Sequence, residues 1–166
     1  MALIREAREH DLPTIAEITN HYVATTTIHF AYEPVAVEEF RVMWSRRDRY
    51  PWLVAEGDSV VLGYAKAGVW RERAAYGWTT ELGLYVAPND HRRGLGKALY
   101  GDLLRELGRR GFHSAIAGIT LPNEPSVALH RAFGFVSVGI VREAGFKFDR
   151  WHDVEFWQKQ LGGASA

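Results

Sequence analysis

The stretch Val86-Ala87-Pro88-Asn89-Asp90-His91-Arg92-Arg93-Gly94-Leu95-Gly96-Lys97 decides the fold of this chain. A strand-like run, residues 79–86, leads into it, and leucines at helical spacing follow at Leu95, Leu99, Leu103, Leu104 and Leu107. Glycines let a phosphate approach the backbone, and a helix N-terminus offers it unpaired N–H groups. With the added charge of Arg92, Arg93 and Lys97, the pattern predicts a pyrophosphate site. The alternative is a glycine turn that merely joins a strand to a helix.

Two better-known phosphate motifs do not fit this loop. A Walker loop needs a serine or threonine after its lysine, and here Ala98 follows Lys97. A dinucleotide fingerprint needs a third small residue where Leu99 stands, and it belongs near the first strand. If the loop binds a phosphate, it therefore does so as another class of anion site.

Outward from the loop, hydrophobic periodicity predicts a mixed α/β sheet in the order β-α-α-β-β-β-α-β-α-β-β. The predicted strands are residues 3–5, 52–56, 60–69, 79–86, 114–119, 135–141 and 154–161. The predicted helices begin at an Asp11 N-cap and reach about Tyr22, span residues 37–47, follow the glycine loop, and span residues 126–133. We expect one domain, residues 1–161, and a flexible tail, residues 162–166.

Composition excludes several classes of function. Cysteine is absent, so disulfides, thiolate metal sites and a cysteine nucleophile are ruled out, and a cytoplasmic location is expected. Twenty basic and twenty acidic side chains cancel, which argues against nucleic acid or an anionic membrane as a partner. The histidines lack metal-ligand spacing, so no metal is expected.

The strand, loop and helix resemble the Q/R-x-x-G-x-G/A motif of the GNAT acetyltransferase superfamily, and residues 123–135 resemble the second half of that signature. The chain also resembles phosphinothricin acetyltransferases nearly end to end, through residues 20–30, 49–56, 121–126, 144–147 and 151–153. One departure is His91, which stands where glutamine or arginine is usual. The resemblance implies a central sheet of about seven strands with helices on both faces, splayed between strands four and five, and a homodimer.

The resemblance also implies acetyl-CoA as co-substrate and direct attack by an amine. Its proposed base falls at Glu81, which might otherwise be an ordinary exposed strand residue. His130 is expected to protonate the departing thiolate or to act as a base, the alternative being a packed, hydrogen-bonded histidine. The expected cofactor-binding residues are Leu84, Tyr85, Val86, Arg92, Arg93, Gly94, Leu95, Gly96, Lys97, Asn123 and Ser126. Among these, the N–H of Tyr85 or Val86 is a candidate oxyanion donor, and Asn123 or Ser126 might instead cap a helix.

The acceptor is expected to be a small glutamate- or methionine-like amino acid, such as phosphinothricin, methionine sulfoximine or methionine sulfone. Arg71 and Arg73 offer the planar forks that grip carboxylate or phosphinate oxygens, although a solvated basic turn is the commoner fate of such residues. Phe30, Trp70 and Tyr85 are expected to form apolar walls of the substrate site. Two other functions stay open, a protein or peptide N-acetyltransferase and a non-catalytic acyl-CoA sensor.

Overall fold

A computed structural model describes residues 1–162, so the expected tail, apart from Gly162, lies outside the described residues. The strands are β1 (Leu3–Glu6), β2 (Trp52–Gly57), β3 (Val60–Val69), β4 (Thr79–Val86), β5 (Ser114–Thr120), β6 (Val136–Lys147) and β7 (Arg150–Gln160). The helices are α1 (Leu12–Thr25), α2 (Val37–Trp44), α3 (Leu95–Arg109) and α4 (Glu124–Ala132). The predicted order of elements is therefore confirmed.

All seven strands form one sheet in the order β1-β2-β3-β4-β5-β7-β6. Helices cover both of its faces, as expected. On one face α1 and α2 bury a cluster that includes Leu12, Phe40 and Tyr64, and on the other α3 packs Leu99 and Leu103 against the sheet. Because side chains alternate along a strand, the central strands β2 and β3 contribute buried residues to both clusters.

The sheet opens in its middle, between β4 and β5. These two strands are parallel, and their register within residues 1–162 holds only three pairs: Thr79 with Ser114, Thr80 with Ala115, and Glu81 with Ile116. On its other side β4 stays paired with β3 as far as Val86. The far half of β4 thus lacks a neighbouring strand toward β5, which is the expected splay between strands four and five.

The C-terminal hairpin is longer than predicted. Strand β6 runs to Lys147 and β7 begins at Arg150, joined by a turn in which Phe148 and Asp149 both have positive φ, 52° and 56°. Register shifts interrupt β6 between Ser137 and Gly139 and between Val141 and Gly145. Such bulges break the alternation of polar and apolar residues, which is the signal that a strand prediction uses.

Asp11 is the N-cap residue of α1, as predicted, although its side chain makes no capping hydrogen bond to the helix. Its carboxylate is buried and accepts hydrogen bonds from the Arg5 guanidinium at 2.7 and 2.9 Å and from the Arg8 N–H at 2.7 Å. Burial alone would raise the pKa of Asp11, but these hydrogen bonds hold it below its ordinary value. Asp11 therefore ties β1 to the short turn before α1.

Two predicted helix boundaries also shift. Helix α2 ends at Trp44 rather than near Arg47, and α4 begins at Glu124 rather than Ser126. In α4 the N-cap is Asn123, whose side chain accepts a hydrogen bond from the Ser126 N–H at 3.3 Å. Capping is therefore a structural role for Asn123, not for the Ser126 side chain.

Candidate active site

The splay leaves a narrow gap between β4 and β5. Its volume is about 110 Å³, and its walls include Leu84 and Tyr85 from β4 and Gly118 and Ile119 from β5. Asn123, Ser126, Tyr100 and His130 also line it. Since the backbone of β4 beyond Glu81 is unpaired on this side, an extended ligand can pair with it as an added strand would.

The glycine loop lies beyond the end of β4, where it opens α3. Gly94 is the N-cap of that helix and has a left-handed φ of 77°. Because glycine has no side chain, the first turn of α3 has no side-chain cap. A Cβ built on Gly94 would meet nothing within 4 Å, so the space in front of these N–H groups is open. Arg92 and Lys97 are exposed beside it, while Arg93 pairs with Asp90. The loop is thus an open, positively charged helix N-terminus.

The loop is held against β4 by two contacts. A Cβ on Gly96 would lie 3.5 Å from Leu84 Cδ2, at ordinary van der Waals distance, so the first turn of α3 packs directly against β4. The Nε2 atom of His91 lies 2.6 Å from the hydroxyl of Tyr22, and that hydroxyl donates to the carbonyl of Val86. The unusual histidine therefore fixes the loop to α1 and to the end of β4.

Glu81 lies at the last paired position of β4, where the splay begins. Its side chain lines a second, larger cleft of about 530 Å³ on the face covered by α1 and α2. Within residues 1–162 its carboxylate forms no hydrogen bond and no salt bridge. Partial burial raises the pKa of Glu81, against the opposing charges of Lys66 and Arg71. An unpaired carboxylate with a raised pKa is suited to accept a proton from a bound ligand.

Aromatic rings form the walls of this cleft. Tyr85 stacks on Tyr64 with ring centroids 5.4 Å apart, and burial raises the pKa of Tyr85 to about 12, so that it stays neutral at pH 7. Phe30, from the connection between α1 and α2, forms the opposite wall with Phe156. Phe30 packs on Gly145 of β6 so closely that a Cβ there would lie 2.3 Å from its ring. The hairpin therefore helps to hold Phe30 in the cleft.

The two arginines predicted to bind substrate are on the connection between β3 and β4, and both are exposed. Neither is among the residues that line the cleft. The guanidinium of Arg71 lies 4.4 Å over the ring of Trp70, which in turn meets Phe156 edge to face at 5.8 Å. Trp70 thus backs the cleft wall from outside, and Arg71 lies close enough to influence the charge of Glu81.

Lys66, on β3, was missed by the sequence reasoning and lines the cleft. The signal was a single charged residue in the otherwise apolar run of residues 60–69. Its significance depends on register, because Lys66 pairs with Gly83 and so shares a face with Glu81. Periodicity within one strand cannot reveal that pairing.

His130 is buried in α4, 5% exposed, and both of its ring nitrogens are hydrogen-bonded. Nδ1 lies 2.7 Å from the carbonyl of Ser126, and Nε2 lies 2.7 Å from the hydroxyl of Tyr100 in α3. Because a carbonyl only accepts, Nδ1 carries a proton, and Nε2 of the neutral ring accepts from Tyr100. Burial lowers the pKa of His130, which favours this neutral form. Tyr100, which lines the gap, is another site residue that the sequence analysis did not predict.

Among residues 1–162, no group of three or more His, Cys, Asp or Glu side chains could hold a metal ion. In the same part of the chain, none of the helices is both long and apolar enough to cross a membrane.

Known proteins resemble this chain over nearly its whole length. Residues 4–156 match the family described as Acetyltransferase (GNAT) domain. The chain is 47% identical over 159 residues to the phosphinothricin N-acetyltransferase of Streptomyces viridochromogenes, covering 95% of this chain and 87% of that one. It is 37% identical over 161 residues to the L-methionine sulfoximine/L-methionine sulfone acetyltransferase of Salmonella typhimurium, covering 95% and 94%.

A solved structure agrees with these relatives. The GNAT superfamily phosphinothricin acetyltransferase from Sinorhizobium meliloti, in complex with AcCoA, superposes with a TM-score of 0.92 at 35% identity. The match covers 97% of this chain and 89% of that one. The likeness therefore extends over nearly the whole fold.

Proposed function

The chain belongs to the GNAT acetyltransferase family and takes its acetyl group from acetyl-CoA, and from this premise we propose that it acetylates the α-amino group of a small glutamate- or methionine-like amino acid. One observation carries the proposal: the cleft that Glu81 lines adjoins the gap between β4 and β5. The two cavities share six lining residues, namely Ile28, Leu82, Gly83, Tyr85, Gly118 and Thr120. A donor in the gap and an acceptor in the cleft would meet at this shared wall.

Three features support the gap and the loop as the site for the donor. The edge of β4 at Leu84, Tyr85 and Val86, which has no strand partner toward β5, suits the pantetheine arm, with Asn123 and Ser126 also lining the gap. The first turn of α3, from Gly94 through Leu95 and Gly96 to Lys97, suits the pyrophosphate, with charge added by Arg92 and Arg93. Bound acetyl-CoA supplies a thioester carbonyl to the amine, and the N–H of Tyr85 or Val86 is our candidate donor to its oxygen.

Glu81 is our proposed general base. An ammonium group has no free electron pair, so a proton must leave the acceptor before it can attack. Partial burial raises the pKa of Glu81 against the opposing charges of Lys66 and Arg71, and its carboxylate is free of other partners within residues 1–162. A water between carboxylate and amine would complete the path.

For His130 the hydrogen bonding favours a positioning role over proton donation. The neutral ring holds the Tyr100 hydroxyl at the gap and joins α3 to α4. Donation to a thiolate would need the protonated ring, and burial disfavours that form. We therefore propose that His130 shapes the gap in which the thiolate forms.

The names of the relatives support phosphinothricin, methionine sulfoximine and methionine sulfone as acceptors. In this proposal Phe30 and Tyr85 form walls that contact the acceptor, and Trp70 supports the cleft wall from outside. Arg71 and Arg73 attract the carboxylate of the acceptor to the mouth of the cleft. Acetylation would remove the charge of the acceptor's amine, which is a route to resistance against toxic amino-acid analogues. Absence of cysteine accords with a cytoplasmic location for this activity.

We expect the purified protein to release thiol from acetyl-CoA when phosphinothricin, methionine sulfoximine or methionine sulfone is present. Release is followed with a thiol reagent, and acetyl-CoA alone measures background hydrolysis. Peptides with free N-termini and unmodified glutamate and methionine complete the panel. No release above background with any amine would favour a non-catalytic acyl-CoA sensor, and release with peptides alone would favour a peptide acetyltransferase.

We also propose a homodimer, built on the outer edge of the sheet. Strand β6 is an edge strand, and along it Val136, Val138, Ile140 and Val141 are 63%, 54%, 38% and 50% exposed. An exposed apolar edge strand is a surface that soluble monomers avoid. A second copy of the chain could cover it with its own edge.

Sedimentation equilibrium is expected to give about twice the 18.8 kDa mass of the chain. Replacing Val138 and Ile140 with lysine should halve the measured mass, because two buried charges would face each other across the edge. Replacing the exposed Val42 on α2 with lysine is the matched control and should leave the mass unchanged. A monomeric wild-type protein at micromolar concentration would disprove the dimer.

A further inference from the structure

Lys66 lies inside the cleft, one strand away from Glu81. Cross-strand pairs place it opposite Gly83 on β4 and opposite Trp52 on β2. A Cβ on Gly83 would lie 3.5 Å from both Cγ and Cε of Lys66, so the lysine stem runs across the space that the glycine leaves. Its position is therefore set by three adjacent strands of the sheet.

The ammonium group of Lys66 has no hydrogen-bonded or ion-paired anionic partner in the part of the chain that the structure describes. Within residues 1–162 its Nζ makes no hydrogen bond or salt bridge, and it lies 5.4 Å from the centroid of the Trp52 ring. By contrast, the buried Nζ of Lys147 donates to three carbonyls. Burial lowers the pKa of Lys66, against the charge of Glu81. A half-buried, unpaired cation in a ligand cleft is stabilised when a ligand brings an anion to it.

The position of Lys66 indicates which anionic group of an amino acid it binds, the α-carboxylate or a group at the end of the side chain. Glu81 and the gap define where the amine must lie, and Lys66 lies opposite Gly83, two residues along β4 from Glu81. Two residues along a strand span about 6.6 Å, so the strand position of Lys66 is offset from that of Glu81 by about this distance. The α-carboxylate shares its carbon with the amine and stays close to it. A group at the end of the side chain reaches further.

We infer that Lys66 is a specificity-determining residue, whose ammonium binds an anionic group at the end of the acceptor's side chain. The inference rests on the proposed function and deepens it by naming the preferred acceptors. They are amino acids with a terminal phosphinate or carboxylate, rather than those with a neutral terminal group.

Phosphinothricin and methionine sulfone provide the test, because they share a shape and differ by one negative charge at the side-chain end. Wild-type protein is expected to have the higher kcat/KM with phosphinothricin. Lys66→Met should lower kcat/KM for phosphinothricin roughly ten- to a hundredfold, the range of one charged hydrogen bond, and that for the sulfone less than about threefold. Lys66→Arg keeps the charge and should keep the preference.

Lys159→Met is the matched control, because it removes a lysine charge from β7 at a position outside the cleft. It should leave both acceptors unchanged. Thermal melts and the KM for acetyl-CoA check that each variant folds and binds its donor. An equal loss with both acceptors, or a wild-type protein without preference, would overturn the role of Lys66 while leaving amino-acid acetylation intact. A wild-type protein that acetylates neither compound would instead refute the proposed function itself.

Discussion

Replacing Glu81 with glutamine is expected to lower kcat at neutral pH by about a hundred- to a thousandfold, the usual contribution of a general base. The amide keeps the size of the side chain but cannot accept the proton of the attacking ammonium. Because Glu81 has no partner within residues 1–162, the change should leave stability and the binding of CoA intact. Glu17→Gln, on the exposed side of α1, is the matched control and should have wild-type kinetics.

The pH dependence of kcat/KM tests the role of Glu81 as the base independently. The pKa of Glu81 is raised above 4.5 in the folded protein, and its ionised form is the active one. Wild-type kcat/KM should therefore rise with pH through an apparent pKa above that ordinary value, and this acid limb should vanish in Glu81→Gln. Equal turnover by the two proteins at neutral pH would remove Glu81 as the base.

Replacing Lys147 with methionine is expected to destabilise the protein by about 3 kcal/mol or more, the scale for removing a buried charged partner. Lys147 is 4% exposed, and its Nζ donates to the carbonyls of Val23, Thr26 and His29 at 2.6, 2.8 and 2.7 Å. Methionine fills the same space but leaves these carbonyls without their donor. For a domain of this size, the loss corresponds to a drop in Tm of about 10 °C.

Lys147 also holds the connection that carries Phe30 into the cleft. The KM for the amino acid should therefore rise in Lys147→Met, while the KM for acetyl-CoA should stay unchanged because the glycine loop is elsewhere. Urea unfolding measures stability, and Lys159→Met is again the control. A loss below about 1 kcal/mol would mean that water replaces the ammonium and that Lys147 is not a structural clamp.

The donor side of the candidate site was readable from sequence because it is local. A strand, two glycines and a leucine-patterned helix follow one another along residues 79–107, and each signal depends on neighbours a few positions away. Glu81 was singled out by resemblance, and its position in that strand was predicted. The long β6–β7 hairpin was not, because bulges near Gly139 and Glu143 disrupt the period on which such predictions depend.

The acceptor side was read less well because it is assembled across strands and connections. Arg71 and Arg73 were selected for their chemistry, yet the cleft is lined by Lys66 from the strand before them. Tyr100 and His130 are thirty positions apart, and only the packing of α3 against α4 joins them. Gly145 and Phe30 meet in the same way, through contact between a hairpin and a connection.

Sequence alone determined the order of strands and helices and the glycine loop before the third helix, since short-range periodicity and turn chemistry specify those elements. Resemblance, not periodicity, indicated the acetyltransferase family. The tertiary structure decided which side chains meet. Cross-strand register brings Lys66 to the face of Glu81, and the three-pair limit between β4 and β5 opens the gap beside it. Register is set by the packing of both sheet faces at once, which no single stretch of residues encodes.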